Sequence, residues 1–312
     1  MNVSNKNASK KTSKKSIKED FQLTLVALPG VIYLLIFNYL PLPGLAIAFK
    51  DFKPLKGIWG SEWNGLDNLK FFFTSQDALR TIRNTLLYNG VWLVLGTFCS
   101  VGLALMFYHV RSRRALKVYN TVMMIPKFMS AVMLSLVAQV FLSYRFGYIN
   151  QMVKAFGGNS IDWYTIPEIW PFVLTIVQVW ATVAVSSMIY YASLMGMDEC
   201  MLEAAKLDGA NKVQQIGYVM VPHLIPVITI QCIVNLGNLF NSNLGLFYQV
   251  PQNSGMLYPT TDVIATYTFR ALQGGRLANS AAVGLVQSIA GFILIVTTNA
   301  FIRRVSPENK IF

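Results

Sequence analysis

The 312-residue sequence is poor in charged residues, which make up 13% of the chain. Soluble globular domains carry about 25% charged residues, so this chain has too little charge to cover a water-exposed surface. Hydrophobic residues reach 54%, and the mean hydropathy is +0.46. These values exclude an ordinary cytosolic enzyme, a disordered protein and a collagen-like fibre. They indicate a protein that is surrounded mostly by lipid.

The sequence also lacks the patterns of catalytic and metal sites. Its three cysteines, Cys99, Cys200 and Cys232, are far apart and form no C-x-x-C pair, which argues against a disulfide framework. Its two histidines, His109 and His223, are far apart in sequence, whereas a metal site needs three or four converging ligands. There is no P-loop, no G-x-S-x-G elbow and no H-E-x-x-H motif. We therefore predict a chain without catalytic residues, metal or cofactor.

Long apolar stretches nearly free of charge dominate the chain, and about 20 such residues are enough to cross a bilayer. We expect the first to be helical only to about Leu40, because Pro41 and Pro43 follow. The prediction is an all-α membrane protein with six transmembrane helices. The six stretches are Phe21–Phe49, Leu86–Val110, Val118–Tyr144, Ile169–Ala192, Val213–Asn241 and Ala281–Ile302.

Acidic residues are missing from all six stretches, and Lys127 is the one basic residue within them. Ion-coupled carriers normally keep ionisable groups inside the membrane, so their scarcity disfavours that class. Lys127 follows Pro126, where we expect the helix to kink or to begin anew. We expect its side chain to reach the cytoplasmic interface, with a position inside the helix bundle as the alternative.

The basic residues are clustered, with six of 26 in the first 20 positions and four between Arg111 and Lys117. Both clusters adjoin apolar stretches, so they indicate topology and not nucleic-acid binding. The positive-inside rule then predicts a multi-pass protein of the cell membrane with both termini in the cytoplasm. The predicted regions are a cytoplasmic N-tail at 1–20, a six-span domain at 21–302 and a cytoplasmic C-tail at 303–312.

The fifth stretch carries a polar stripe. Gln231, Asn235, Asn238 and Ser242 follow the spacing i, i+4, i+7, i+11 of one helical face, and Asn241 lies beside them. Amides find no hydrogen-bonding partner in lipid, so this face must look into the bundle or into a wet cavity. Two interpretations remain open: hydrogen bonds between helices, or the lining of a pathway for a polyhydroxylated solute.

Two loops contain signals for short helices. In the predicted cytoplasmic loop at about 193–216, Asp198 is a good N-cap for a helix over Glu199–Asp208. In the last outer loop, Thr260-Thr261-Asp262 is typical of a helix start. The residues Val263, Ile264, Tyr267 and Ala271 then share one face, which predicts an amphipathic helix at the outer surface.

The cytoplasmic loop also holds the most specific motif, Glu203-Ala204-Ala205-x-x-x-Gly209, followed after nine residues by Val219-x-Val221-Pro222. It resembles the EAA loop of binding-protein-dependent ABC import permeases, with valines where that family usually has Ile and Leu. Further segments resemble the carbohydrate group of these permeases, and within it the polysaccharide or complex-oligosaccharide subgroup. They include Leu28-Pro29-Gly30, Gly57-Ile58-Trp59-Gly60, Leu257-Tyr258-Pro259 and Ser306-Pro307-Glu308-Asn309.

The resemblance implies a type I ABC importer transmembrane fold and a chain that forms half of a sugar pathway. It implies a heterodimer with a second, homologous permease, two separate ATPase subunits, an extracytoplasmic sugar-binding protein and an oligosaccharide substrate. The alternatives are an ion-coupled secondary sugar carrier and a channel-type membrane protein. The residues expected to couple to the ATPase are Glu203, Ala204, Ala205, Asp208, Gly209 and Pro222.

Overall fold

The computed structural model describes the backbone of residues 24–305 and the side chains of residues 24–300. The basic N-tail and the segment 306–312 lie outside these residues. The first half of the described chain forms α1 (Thr24–Phe49), α2 (Asp67–Thr74), α3 (Gln76–Tyr108), α4 (Arg113–Phe128), α5 (Ala131–Leu142) and α6 (Tyr148–Ala155). The second half forms α7 (Trp170–Met195), α8 (Glu199–Leu207), α9 (Lys212–Gly237), α10 (Leu244–Gln249), α11 (Tyr258–Thr261), α12 (Ile264–Gln273) and α13 (Leu277–Val305).

Five of the described helices, α1, α3, α7, α9 and α13, are long and apolar enough to cross a membrane. The pair α4–α5 makes a sixth span if its two bent parts are counted together. The predicted all-α fold with six spans is therefore confirmed. A short antiparallel pair, β1 (Lys50–Asp51) and β2 (Glu62–Trp63), closes the loop after α1, with Lys50 opposite Trp63.

Helix α1 continues beyond Leu40, where the sequence predicted its end. A π-helical turn at Leu35–Tyr39 and a 3₁₀ helix at Leu42–Phe49 carry the chain past both prolines. Pro41 is the N-cap of the 3₁₀ helix and Pro43 lies in its first turn. Backbone N–H groups have no intrahelical partner in a first turn, so proline is tolerated there.

The span predicted over Val118–Tyr144 is broken. Helices α4 and α5 meet at an angle of 100°, with Met129 and Ser130 between them. Pro126 lies in the last turn of α4, two residues before its end, and has no N–H to donate to an intrahelical hydrogen bond. Ser130 then starts α5, because its hydroxyl accepts a hydrogen bond from the Met133 N–H at 3.2 Å.

Helices α3 and α7 pack along each other and form the centre of the bundle. At one end of α3, buried Ala104 belongs to an apolar cluster that includes Leu202 of α8. At the other end, Ala78 packs in a second cluster with Ile264 and Tyr267 of α12. Helices α8 and α12 therefore lie at opposite ends of the bundle, and the predicted amphipathic α12 buries the expected face.

Helix α12 begins at Ile264, two residues after the predicted start, because Asp262 has another role. Its fully buried carboxylate accepts hydrogen bonds from Arg80 at 2.8 Å and from Arg270 at 2.6 Å. The Thr266 hydroxyl donates to the same carboxylate at 2.7 Å. Asp262 thus ties the loop before α12 to α3.

Candidate functional site

A polar cavity of about 340 Å³ lies between α3, α7 and α9. Each of the three helices contributes side chains that can form hydrogen bonds. Helices α3 and α7 both have their C-terminal ends near α8. Tyr190 lies five residues before the C-terminal end of α7, and Asn89 lies 19 residues before the C-terminal end of α3. At 1.5 Å per residue, the cavity extends over about 20 Å of the bundle axis. Its polar lining residues are Asn89, Trp92, Thr97, Ser100, Lys127, Gln178, Thr182, Ser186, Tyr190, Gln231, Asn235, Asn238 and Asn241.

Three carboxamides in this lining have no hydrogen-bonding partner among the described residues. Gln178 projects from α7, and Gln231 and Asn235 project from successive turns of α9. An amide in a membrane protein needs a partner, because an unsatisfied polar group in an apolar medium costs several kcal/mol. These groups can therefore hydrogen-bond water or a polar solute in the cavity.

The predicted stripe is not one helical face along its whole length. Regular α-helix ends at Gly237, Asn238 is the C-cap, and Asn241 and Ser242 follow in irregular structure. Gly237 lies so close to α13 that a Cβ there would come within 2.8 Å of Ile295.

Four of the five stripe residues still line the cavity, but Ser242 does not. Its side chain is buried elsewhere, and its hydroxyl has no hydrogen-bonding partner in the described structure. The prediction that Ser242 shares one helical face with Gln231 was therefore wrong, because the helix ends five residues before it.

Asn89 of α3 was not among the predicted site residues. Its amide donates hydrogen bonds to the carbonyls of Leu239 at 2.6 Å and Asn241 at 3.4 Å, so it holds the turn after α9 at one end of the cavity. Polar residues on α3 and α7 also recur at helical spacing, as in Gln178, Thr182 and Ser186. The rule that identified the stripe on α9 could have found this face as well.

Lys127 lines the same cavity from the last turn of α4. It is the one charged residue among the described lining residues. It lies 14 residues after Arg113, which corresponds to about 21 Å along the helix. Its place in the cavity lining puts Lys127 beside side chains of α3, α7 and α9. No three His, Cys, Asp or Glu side chains among residues 24–300 converge as a metal site requires.

Helix α8 has a well-formed cap at each end, as its sequence predicted for the start. The Asp198 carboxylate accepts a hydrogen bond from the Cys200 N–H at 2.9 Å. At the other end, the Ala210 N–H donates to the Ala205 carbonyl at 2.9 Å and the Gly209 N–H donates to Lys206 at 3.1 Å. These two bonds form a Schellman motif, whose C′ residue is left-handed. Gly209 occupies that position with φ of 82°.

One face of α8 is packed and the other is free. Leu202 is buried against Leu194 of α7 and Leu224 of α9. Glu203 and Ala204 are exposed, and Glu203 forms no ion pair with any described residue. Asp208 is exposed as well, as the C-cap.

Pro222, the last residue of the motif, is the second residue of the α-helical segment Val221–Gly237, which follows the π-helical turn Ile216–Met220 within α9.

On α8, the pKa of the exposed Cys200 thiol is raised by its hydrogen bond to the Asp198 carboxylate.

Comparison with known proteins connects these two sites to a family. The sequence model described as "Binding-protein-dependent transport system inner membrane component" matches residues 93–310, which is more than two thirds of the chain. The chain belongs to this family. The resemblance inferred from the EAA-type loop is thereby confirmed, and the chain is a multi-pass component of an inner membrane.

Two similar relatives come from Bacillus subtilis (strain 168). The polygalacturonan/rhamnogalacturonan transport system permease protein YteP is 32% identical over 288 residues, which cover 92% of this chain and 89% of the relative. Protein LplB is 29% identical over 294 residues, which cover 94% of this chain and 92% of the relative.

A solved structure is also similar to this chain: a chain of a bacterial ABC transporter involved in import of the acidic polysaccharide alginate. It has a TM-score of 0.84 and 29% identity, with 95% of this chain and 99% of that chain covered. A second structure holds such a transporter in complex with its periplasmic protein bound to an alginate pentasaccharide.

Proposed function

We propose that the chain is one of two permease subunits of an ATP-driven importer of oligosaccharides or polysaccharide fragments. The observation that carries this proposal is the cavity with the unpaired amides of Gln178, Gln231 and Asn235. A carboxamide both donates and accepts hydrogen bonds, as a sugar hydroxyl does, so a polyhydroxylated solute can satisfy all three. The names of the relatives, which include a polygalacturonan/rhamnogalacturonan transport system permease protein and a transporter involved in the import of alginate, support this substrate class.

The chain's own part in energy coupling is assigned to α8. Its exposed face, with Glu203 and Ala204, would dock against a separate ATPase subunit on the cytoplasmic side. Its buried Leu202 packs against α7 and α9, two helices that line the cavity. A shift of α8 would therefore be passed directly to the cavity walls, because packed apolar clusters transmit displacement with little compression.

The proposed assembly contains a second, homologous permease, two ATPase subunits and an extracytoplasmic solute-binding protein, with both termini of this chain in the cytoplasm. The exposure of α1 leaves an apolar surface on which a partner in the membrane could pack. Its apolar side chains remain open in the single chain, with Val26 80% and Phe37 62% exposed. Either lipid or a second permease must cover them.

The test is to co-express the chain with its partner permease and ATPase, purify the complex and reconstitute it in liposomes. We expect saccharide uptake to require ATP and the binding protein, and to vanish with an ATPase subunit that binds ATP but cannot hydrolyse it. Uptake by the chain alone under a proton or sodium gradient would instead indicate a secondary carrier. Leakage of saccharide in both directions without ATP would indicate a channel.

A further inference from the structure

Lys127 gives the cavity a net positive charge. None of the other described lining residues is charged, and no described carboxylate lies within ion-pair distance of its ammonium group. Charged side chains within the membrane are expensive and normally pair with an opposite charge or face a functional cavity. Lys127 faces a cavity and has no counter-ion in the described part of the chain.

The position of Lys127 is fixed by the break between α4 and α5. Pro126 is buried, and the chain turns by 100° after Phe128, so α4 ends within the bundle. Its last turn presents the exposed Lys127 side chain to the cavity that the amides of α7 and α9 line. The ammonium group shares the cavity with Gln178, Gln231 and Asn235.

A structural role for this lysine would leave its hydrogen-bonding capacity free. A cation near a helix C-terminus is favourable, because the last carbonyls carry partial negative charge. That attraction needs no hydrogen bond, and the Lys127 ammonium forms none with any described group. It remains available to a ligand that enters the cavity.

We propose that Lys127 is a specificity-determining residue for acidic sugars, and that the transported oligosaccharide carries anionic groups, such as carboxylates. This inference rests on the proposed function, since it assumes that the cavity is part of the sugar pathway. The amides would bind hydroxyl groups, and the ammonium would bind one anionic group at a time. Hydrogen bonds between charged partners are shorter and about twice as strong as neutral ones, so the lysine would favour acidic over neutral saccharides.

The test uses cells in which this chain is deleted and then restored as wild type, Lys127→Gln, Lys127→Arg or Lys117→Gln. Lys117 lies on the same helix, is exposed and does not line the cavity, so it is the matched control. The labelled probes are oligosaccharides with carboxylates, from polygalacturonate and alginate, with sulfates, from carrageenan, and without charge, from arabinan and starch. Immunoblots of the membrane fraction report the amount of each variant.

We expect deletion to abolish uptake of at least one acidic probe. Lys127→Gln should lower that uptake about ten-fold or more at unchanged membrane levels, whereas Lys127→Arg and Lys117→Gln should retain most of it. The carboxylated and sulfated probes distinguish the two sources of negative charge.

If the wild-type chain takes up neutral probes but no acidic probe, this inference is overturned and the proposed function stands. The same holds if Lys127→Gln takes up the acidic probes as well as the wild type does. If deletion changes uptake of no saccharide, the proposed function itself fails, and this inference fails with it.

Discussion

The turn after α8 offers a sharp test, because Gly209 combines a left-handed backbone with open space. Its φ is 82°, and a Cβ added there would meet nothing within 4 Å. A substitution is therefore penalised only through the backbone, by about 1–2 kcal/mol for an ordinary L-residue. The penalty is up to about 3 kcal/mol for a β-branched one. Asparagine enters this region more readily than other residues with a side chain.

A penalty of this size matters because α8 has nine residues, and isolated helices of that length are marginal. One or two kcal/mol changes a conformational equilibrium by a factor of about 5–30. We expect Gly209→Asn to keep the most bound ATPase and saccharide-stimulated ATP hydrolysis, Gly209→Ala to keep less, and Gly209→Val to keep the least. Gly217→Ala is the control, since Gly217 also has open space but no positive φ.

The assay is purification of each complex in detergent, followed by measurement of bound ATPase per permease and of ATP hydrolysis. If the partner ATPase instead requires empty space at this position, bound ATPase and ATP hydrolysis should decrease as the side chain becomes larger. Gly209→Ala would then retain more of both than Gly209→Asn. That order would refute the argument from backbone strain, and normal values for Val would show that the turn is not required at all.

Three further predictions concern other parts of the chain. Asp262→Asn removes the buried carboxylate that Arg80 and Arg270 share, so Arg270 loses its ion pair whereas Arg80 keeps Asp77. The loss should cost about 3 kcal/mol and lower the thermal midpoint by about 5–10 °C. The exposed Asp67→Asn should not shift the midpoint. Asn235→Leu removes an amide from the cavity, so saccharide uptake should fall by up to about ten-fold while basal ATP hydrolysis stays unchanged. Unaltered uptake would contradict a saccharide pathway through this cavity. A cysteine at Ser112 should react with a thiol reagent only from the cytoplasm, and a cysteine at Asn159 only from outside. Labelling of Ser112→Cys in intact cells by a reagent that does not cross the membrane would contradict the proposed topology.

Local signals made α8 and α12 predictable from sequence. The Asp198 cap and the left-handed Gly209 act within a few residues, so the chain itself specifies where α8 begins and turns. The apolar face of α12 was equally readable, because burial of Ile264 and Tyr267 follows the helical period.

Contacts between distant segments were not predictable. Helix α9 ends at Gly237 where it approaches Ile295 of α13, about 58 residues further along the chain, so periodicity alone extended the stripe to Ser242. The cavity needs three helices to face each other, and one polar stripe could not distinguish a lining from a contact between helices. The position of Lys127 depended on a 100° bend that a proline indicates but does not specify.

The central claim is that α8 couples an ATPase subunit to a carbohydrate pathway in this chain, and Glu203 tests it most directly. Its exposed carboxylate has no described ion-pair partner, so an Arg or Lys of the ATPase should meet it. The measurement is saccharide-stimulated ATP hydrolysis by the purified complex with Glu203→Ala, beside Glu168→Ala, an exposed carboxylate before α7 at the end of the bundle away from α8. The account predicts that Glu203→Ala loses stimulation and bound ATPase by about ten-fold or more, while Glu168→Ala retains its bound ATPase. Full stimulation and full ATPase retention in Glu203→Ala would contradict it.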